Sequence, residues 1–329
     1  MGKTISKGPV RILAPFVKIY KSTPGAVFLI TILFTLIVHI ASGNFYTTYN
    51  VSTLVRQVSF VILVGFGQTL VLLLGGIDLS VASIAGLCSM TVAELMTQTS
   101  IDPFICIIIA LALGLILGAI NGLFICGLKI SPFIVTLGSG AVFKGVIYVV
   151  TKGHPIIGMP SKVTIIGQGM LFGAIPYPTI IMLTACAILV IMLRYTAFGR
   201  HIYAVGGNEQ AARIVGIKVD KVKMWVYALS GLLAGSAGIL MVLRLASSQV
   251  NIGENWVMPS ITAAILGGTS MSGGSGSIVG TIVGGLLMGV ISFSITLLGI
   301  SSYWELIVTG GVVLVAVAVD AIRQRNQLK

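Results

Sequence analysis

The 329-residue sequence predicts an all-α fold: a polytopic transmembrane helical bundle in one domain covering residues 1–329, with both termini in the cytoplasm. Three observations predict it. Hydrophobic residues make up 56% of the chain and charged residues only 9%, against about 25% charged in an ordinary soluble domain. A soluble core of this length could not hide so much apolar surface behind so few charges, whereas a bilayer can solvate it. The apolar residues also fall in blocks long enough to cross a membrane as helices, and there are 41 glycines, small residues that let helices approach closely in lipid.

Apolar stretches lie near 24–41, 51–74, 79–97, 103–126, 132–151, 177–193, 224–243, 257–270, 277–298 and 303–319. Most approach the ~20 residues a helix needs to cross ~30 Å, so about ten spans are expected. The first follows Lys3, Lys7, Arg11, Lys18 and Lys21 in an N-terminal arm, residues 1–23. It is longer than a signal core and has no clear small-residue cleavage site behind it, so it reads as a retained span.

An even number of spans puts both ends of the chain on one side, and Lys and Arg choose the side. The N-terminal arm, Lys129, the segment 194–223 (Arg194, Arg200, Arg213, Lys218, Lys221, Lys223) and the tail (Arg323, Arg325, Lys329) place 15 cations on one face. The other face holds four, Arg56, Lys152, Lys162 and Arg244. That bias assigns the richer face to the cytoplasm. It also accounts for the net charge of +12 without nucleic-acid binding, because the charges sit in short segments beside spans and not on one folded polar face.

Two connections are long enough to hold structure of their own, 152–176 outside and 194–223 inside. Glycines recur every four residues at Gly114, Gly118 and Gly122, at Gly231 and Gly235, and at Gly280 and Gly284. The plain reading is helix contact within one chain, and the sharper one is that a face of this kind meets a second copy.

Cys88, Cys106, Cys126 and Cys186 all fall in apolar runs and read as reduced packing residues. His39, His154 and His201 are far apart, so no metal site is expected. Gly2-Lys3-Thr4 has the tail of a P-loop without its upstream glycine or strand, and Gly273-Gly274-Ser275-Gly276 has no lysine after it. The chain is therefore not expected to bind ATP. No nucleophile, acid and base fall together either, which argues against an enzyme.

The run Leu74-Gly75-Gly76-Ile77-Asp78-Leu79-Ser80 interrupts apolar sequence, and Leu266-Gly267-Gly268-Thr269-Ser270 does so in the other half. Paired glycine breaks point to broken helices beside a transport path, with tight surface turns as the alternative. Asp78 or Ser80 can cap the helix that follows. Lys144 lies twelve residues past Pro132, about 18 Å along a helix, where it must pair, snorkel or face a polar cavity. Asn121 and Gln68 are further polar residues inside spans and read first as links between helices. In the basic connection, Asn208 can cap a short helix through Glu209, Ala211, Ala212 and Arg213 that Gly216 would end. Such a helix, preceded by Gly206-Gly207, would show a compact surface to a cytoplasmic partner.

Four segments, in this order, carry a family resemblance: Gly76-Ile77-Asp78-Leu79-Ser80-Val81, Ser131-Pro132-Phe133-Ile134-Val135-Thr136-Leu137-Gly138, Phe198-Gly199-Arg200 with Ala204 to Glu209 and Ala211-Ala212, and Leu266 to Ser270 with Gly273-Gly274. Over nearly its whole length the chain is similar to the ribose-type permeases of bacterial ATP-binding-cassette importers, a group that also serves galactose, xylose and autoinducer-2. Local departures are Val81-Ala82 where many members have Val-Gly, Lys144-Gly145 where many have arginine before the glycine, and the acid-free Val257-Met258-Pro259. The resemblance implies a permease in the bacterial inner membrane that passes a monosaccharide. It implies a second permease copy in a homodimer or pseudo-dimer, a cytoplasmic ATPase subunit that binds ATP and Mg, and a periplasmic or lipid-anchored sugar-binding protein. The segment from Gly206 to Ile217 matches the family's ATPase-contacting loop. The competing reading is a secondary transporter driven by an ion gradient, for which Asp78 and Glu94 are the acids nearest span interiors.

Overall fold

The structure is a computed structural model and describes residues 23–301 and 303–327. Residues 1–22 of the N-terminal arm, with its five cations and Gly2-Lys3-Thr4, and Lys329 lie outside the described residues.

Thirteen helices are described: α1 (Thr23–Ser42), α2 (Thr48–Leu73), α3 (Val81–Gln98), α4 (Pro103–Gly127), α5 (Pro132–Thr151), α6 (Ser161–Gln168), α7 (Tyr177–Tyr195), α8 (Ala197–Gly207), α9 (Glu209–Ile214), α10 (Val219–Leu245), α11 (Val257–Leu266), α12 (Ile278–Leu297) and α13 (Tyr303–Gln327). A single 3-10 turn, Glu254–Trp256, precedes α11. Eight of these, α1 to α5, α7, α10 and α12, are long and apolar enough to cross a membrane. The chain is thus an all-α, multi-pass membrane protein. The eighth and tenth expected stretches fall on shorter elements: α11 has ten residues, and the apolar part of α13 is Tyr303–Ala318.

Helix starts follow local chemistry. Asp102 accepts from the Phe104 amide at 2.9 Å, with Pro103 in the first turn, and so opens α4. Ser277 accepts from Gly280 at 3.3 Å and opens α12. These side chains satisfy amides that a helix start otherwise leaves unpaired. The connection 152–176 holds α6 and three short strands, of which Met170–Leu171 and Ile175–Pro176 pair antiparallel with each other. Its first strand, Ile156–Ile157, pairs antiparallel with Ser247–Ser248 just after α10.

α2 and α10 form the centre, with buried residues around most of their circumference. By contrast α1, α4, α5 and α7 turn long apolar faces outward, for example Ile40 and Val149. Faces of this kind suit lipid, which satisfies no backbone polar groups but solvates side chains such as these. Because lipid is as apolar as leucine, helix contact must come from close packing. α4 supplies it: a Cβ on Gly114 would come within 2.7 Å of the Gly231 carbonyl oxygen, and one on Gly122 within 2.6 Å of Met224 Cα. Gly118 lies against Tyr227 of the same helix, α10. Gly235 packs on Cys88, Gly280 on Gly267 and Gly284 on Ala263. All the glycine repeats named from sequence are therefore filled inside one chain.

Candidate functional site

Both glycine breaks close their helices in the same way. After α2, Gly75 has φ +73°, its amide reaches Leu72 O at 2.8 Å, and Gly76 N reaches Val71 O at 3.1 Å. After α11, Gly268 has φ +90°, its amide reaches Ile265 O at 2.8 Å, and Thr269 N reaches Ala264 O at 3.0 Å. A left-handed residue with this pair of bonds caps the last carbonyls of a helix, and glycine takes it without a Cβ penalty.

The segment after the first break carries the densest buried polar cluster. One Asp78 carboxylate oxygen accepts from Ser80 N at 3.0 Å and Ser80 Oγ at 2.6 Å, and the other accepts from Ser230 Oγ at 2.9 Å. Gln68 Nε2 donates to Asp78 O at 2.5 Å, and Asn121 Nδ2 donates to Ser80 Oγ at 2.8 Å. Leu79 N donates to Thr136 Oγ1 at 3.1 Å. Gln68, Asp78, Ser80, Asn121, Thr136 and Ser230 are all fully buried. The cluster joins α2, α4, α5 and α10 to the start of α3. Ser80 stands at the N-cap position of α3 without making a side-chain cap bond, because its hydroxyl is given to Asp78. The two polar residues picked out as links between helices, Gln68 and Asn121, thus meet around one acid.

Lys144 does not join them. Its ammonium pairs with Glu254 at 2.5 Å, tying α5 to the 3-10 turn before α11.

The two breaks and the basic connection come together at one end of the bundle. Gly274 N donates to Leu73 O at 2.9 Å. A Cβ on Gly206, near the end of α8, would meet the Leu73 carbonyl oxygen and come within 2.7 Å of Gly274 N. Gly273 lies against Gly206 and Gly75, and Gly274 against Gly207. Tyr203 of α8 adds a bond from its hydroxyl to Gly276 O at 3.1 Å.

From this junction α9 projects as expected. Asn208 accepts from Ala211 N at 2.9 Å, Ala212 is buried, and Gly216 ends the helix at φ +86°. Arg213 holds Asp220 through both terminal guanidinium nitrogens, Nη2 at 2.7 Å and Nη1 at 3.3 Å, and also Glu209 at 3.0 Å; Lys223 reaches Glu209 at 2.6 Å. The Lys223 hydrogen bond, with Arg213 helping, holds the Glu209 carboxyl below its ordinary value, and the bond to Asp220 raises the Arg213 guanidinium. Beside this network a cavity of about 650 Å³ is lined by Cys126, Lys129, Pro132, Glu209 and Arg213. At the tip, Ile214 is 85% and Val215 74% exposed. Sequence reasoning missed that apolar tip. It also missed Ser230 and Thr136, because one hydroxyl in an apolar helix carries no signal of which neighbour it will meet.

Eight apolar helices around this junction define a multi-pass membrane protein. Residues 50–317 match the family model described as the permease component of branched-chain amino acid transport systems, and the chain belongs to that family. It is 44% identical over 295 residues to the ribose import permease protein RbsC of Bacillus subtilis (strain 168), covering 89% of this chain and 91% of that one. It is 34% identical to the D-allose transport system permease protein AlsC of Escherichia coli (strain K12), covering 91% of each. To the fructose import permease protein FrcC of Rhizobium meliloti it is 33% identical, covering 91% of this chain and 86% of that one. No solved structure matches it.

Proposed function

We propose that this chain is the membrane-spanning permease of an ATP-driven importer that carries a monosaccharide across a bacterial cytoplasmic membrane. Relatives over nearly the whole chain are named for import or transport of ribose, allose and fructose. On this reading α11 and α13 complete ten crossings, and both termini are cytoplasmic. Lys129, Arg213 and Lys223 share one end of the bundle, around a single cavity. At the other, Arg56 donates to Gln168 O at 3.0 Å and Lys162 pairs with Asp102 at 3.8 Å. The richer end faces the cytoplasm under the positive-inside rule. A second permease copy shares the path, and a periplasmic or lipid-anchored sugar-binding protein docks at the opposite end.

The observation that carries the proposal is the backbone contact of Gly206 with Leu73 and Gly274. It makes α8 and α9 one arm whose base rests on both helix breaks. A partner ATPase that grips the tip, Ile214 and Val215, can move the breaks without acting through flexible side chains. ATP and Mg are bound by that partner. ATP drives the cycle only so far as it favours one conformation of the permease over the other.

The test replaces Gly216 with leucine. At φ +86° a leucine is strained, while the site itself is open, so the tip distorts and the spans do not. Uptake in proteoliposomes holding the ATPase and binding protein is expected to fall about tenfold while ATP hydrolysis persists. Parent-level uptake would sink the coupling role. Uptake driven by an ion gradient with no ATPase present would favour a secondary transporter instead.

A further inference from the structure

The connection between α10 and α11 does not stay at the end of the bundle. Gly253 packs on Ala82 and Ala85, and Ile252 O lies beside Gly86, all in the first two turns of α3. Glu254 then meets Lys144, which stands twelve residues beyond Pro132, about 18 Å along α5. So α11 begins part-way through the bundle, from non-helical backbone. Backbone of that kind is tolerated at membrane depth only inside protein or along a water-filled cavity.

An open-sided cavity of about 760 Å³ lies between the start of α11 and the first turns of α13, inside the roughly 300–1,000 Å³ range of small-molecule sites. Its polar lining is Glu254, Asn255, Tyr303, Glu305 and Thr309, with Met258 on the apolar side. Glu254 has its charge answered by Lys144. Glu305 accepts a hydrogen bond from Ser292 Oγ at 2.5 Å and, among the described residues, has no cationic partner. Glu305 stands in the first turn of α13, where its carboxylate keeps acceptor capacity for water or a hydrogen-bonding ligand.

The lining selects the ligand by its donors and acceptors. Glu305 is an acceptor with capacity left after Ser292, and Asn255 offers both a donor and an acceptor. Tyr303, 82% exposed, offers a ring face to C–H groups. A neutral polyol fits all three. A phosphorylated or acidic sugar does not, because two carboxylates against one ammonium leave the site negative.

We propose that this cavity is a station for a neutral polyhydroxylated monosaccharide on the translocation path, with Glu305 and Asn255 as its specificity-determining residues. The inference rests on the importer reading above, which assigns the substrate class but no residue of the path. Uptake is measured with D-ribose, D-allose, D-fructose and D-xylose, in proteoliposomes holding the permease, its ATPase and its binding protein. No uptake of any of the four by the parent protein would count against the importer reading. With a transporting parent, Glu305→Gln and Asn255→Ala are expected to raise KM about tenfold and to change the order of preference among the four sugars. Parent KM and parent order in both variants would overturn the station. Because Glu305→Gln removes the charged acceptor of Ser292 and could insert poorly, Thr309→Cys gives a second readout. A membrane-impermeant maleimide should label the introduced thiol in the assembled complex above the parent background, and the transported sugar should slow that labelling. Labelling that the sugar leaves unchanged would also overturn the proposal.

Discussion

The Leu73 carbonyl oxygen occupies the space that a Cβ on Gly206 would need. That oxygen also accepts the Gly274 amide at 2.9 Å. One backbone atom at the end of α2 is thus shared between the second break and the arm that carries α9.

Gly206→Ala should therefore disturb the junction itself. The clash is with backbone, which cannot rotate away, and forced overpacking costs about 1–3 kcal/mol. Uptake is expected to fall with ATP hydrolysis retained, read by measuring both in the same proteoliposomes. Gly207→Ala, where nothing lies within 4 Å of the added carbon, should behave like the parent. Equal effects of the two would contradict the contact.

The buried cluster predicts a graded response at Asp78. Asp78→Ala strands the donors of Ser80 and Ser230, and each buried unsatisfied group costs about 1–3 kcal/mol. Ser230→Ala removes one donor and should cost about 1 kcal/mol. Thermal unfolding in detergent should rank the parent above Ser230→Ala and Ser230→Ala above Asp78→Ala. The reverse order would mean that the cluster does not hold the start of α3.

The glycine face of α4 is checked by a matched pair. Gly118 lies against the Tyr227 backbone, whereas Gly145 in α5 has nothing within 4 Å of an added Cβ. Gly118→Ala should lower the midpoint of unfolding. Gly145→Ala should leave it unchanged or raise stability by about 0.5–1 kcal/mol, as alanine does in a helix.

The α9 network has a defined acid limit. Glu209 is held below the ordinary carboxylate value, first by the Lys223 hydrogen bond. A depressed carboxyl contributes fully above its unfolded value and loses that contribution as pH falls through the folded one. Amide exchange protection of α9, corrected for intrinsic rate, should hold from neutral pH to about pH 5 and drop at lower pH. Lys223→Met should move the drop upward. The Glu209, Arg213 and Lys223 side chains are 21–46% exposed, enough for solvent to screen the pairs, so the network is worth little to global stability.

The Lys144–Glu254 pair predicts non-additive mutants. Lys144→Met or Glu254→Gln alone leaves a charge or donor without its partner, while the double variant removes both. The double variant should be more stable than the sum of the two losses implies. Strict additivity in thermal unfolding would mean that the pair does not couple α5 to the turn before α11.

Much of this molecule was legible in one dimension because lipid imposes a one-dimensional rule. Length and hydropathy mark eight of the spans, since each buries its own backbone polar groups in its own hydrogen bonds. The cap at Asn208 and the stop at Gly216 were readable too, because caps depend on residues within one turn. What only the tertiary structure decided is which distant groups meet. Lys144 needed a partner, but only folding placed Glu254, far along the chain, at 2.5 Å. Gln68 and Asn121 were polar in apolar helices, but their convergence on the segment Asp78–Ser80 depends on how four helices pack. Gly206 could be placed just ahead of the short helix, but its position against Leu73 follows from a backbone contact that no local pattern encodes. The physical reason is the same each time. Span and cap are set by short-range solvation and hydrogen bonding, whereas side-chain partners are set by close packing among segments far apart in the chain.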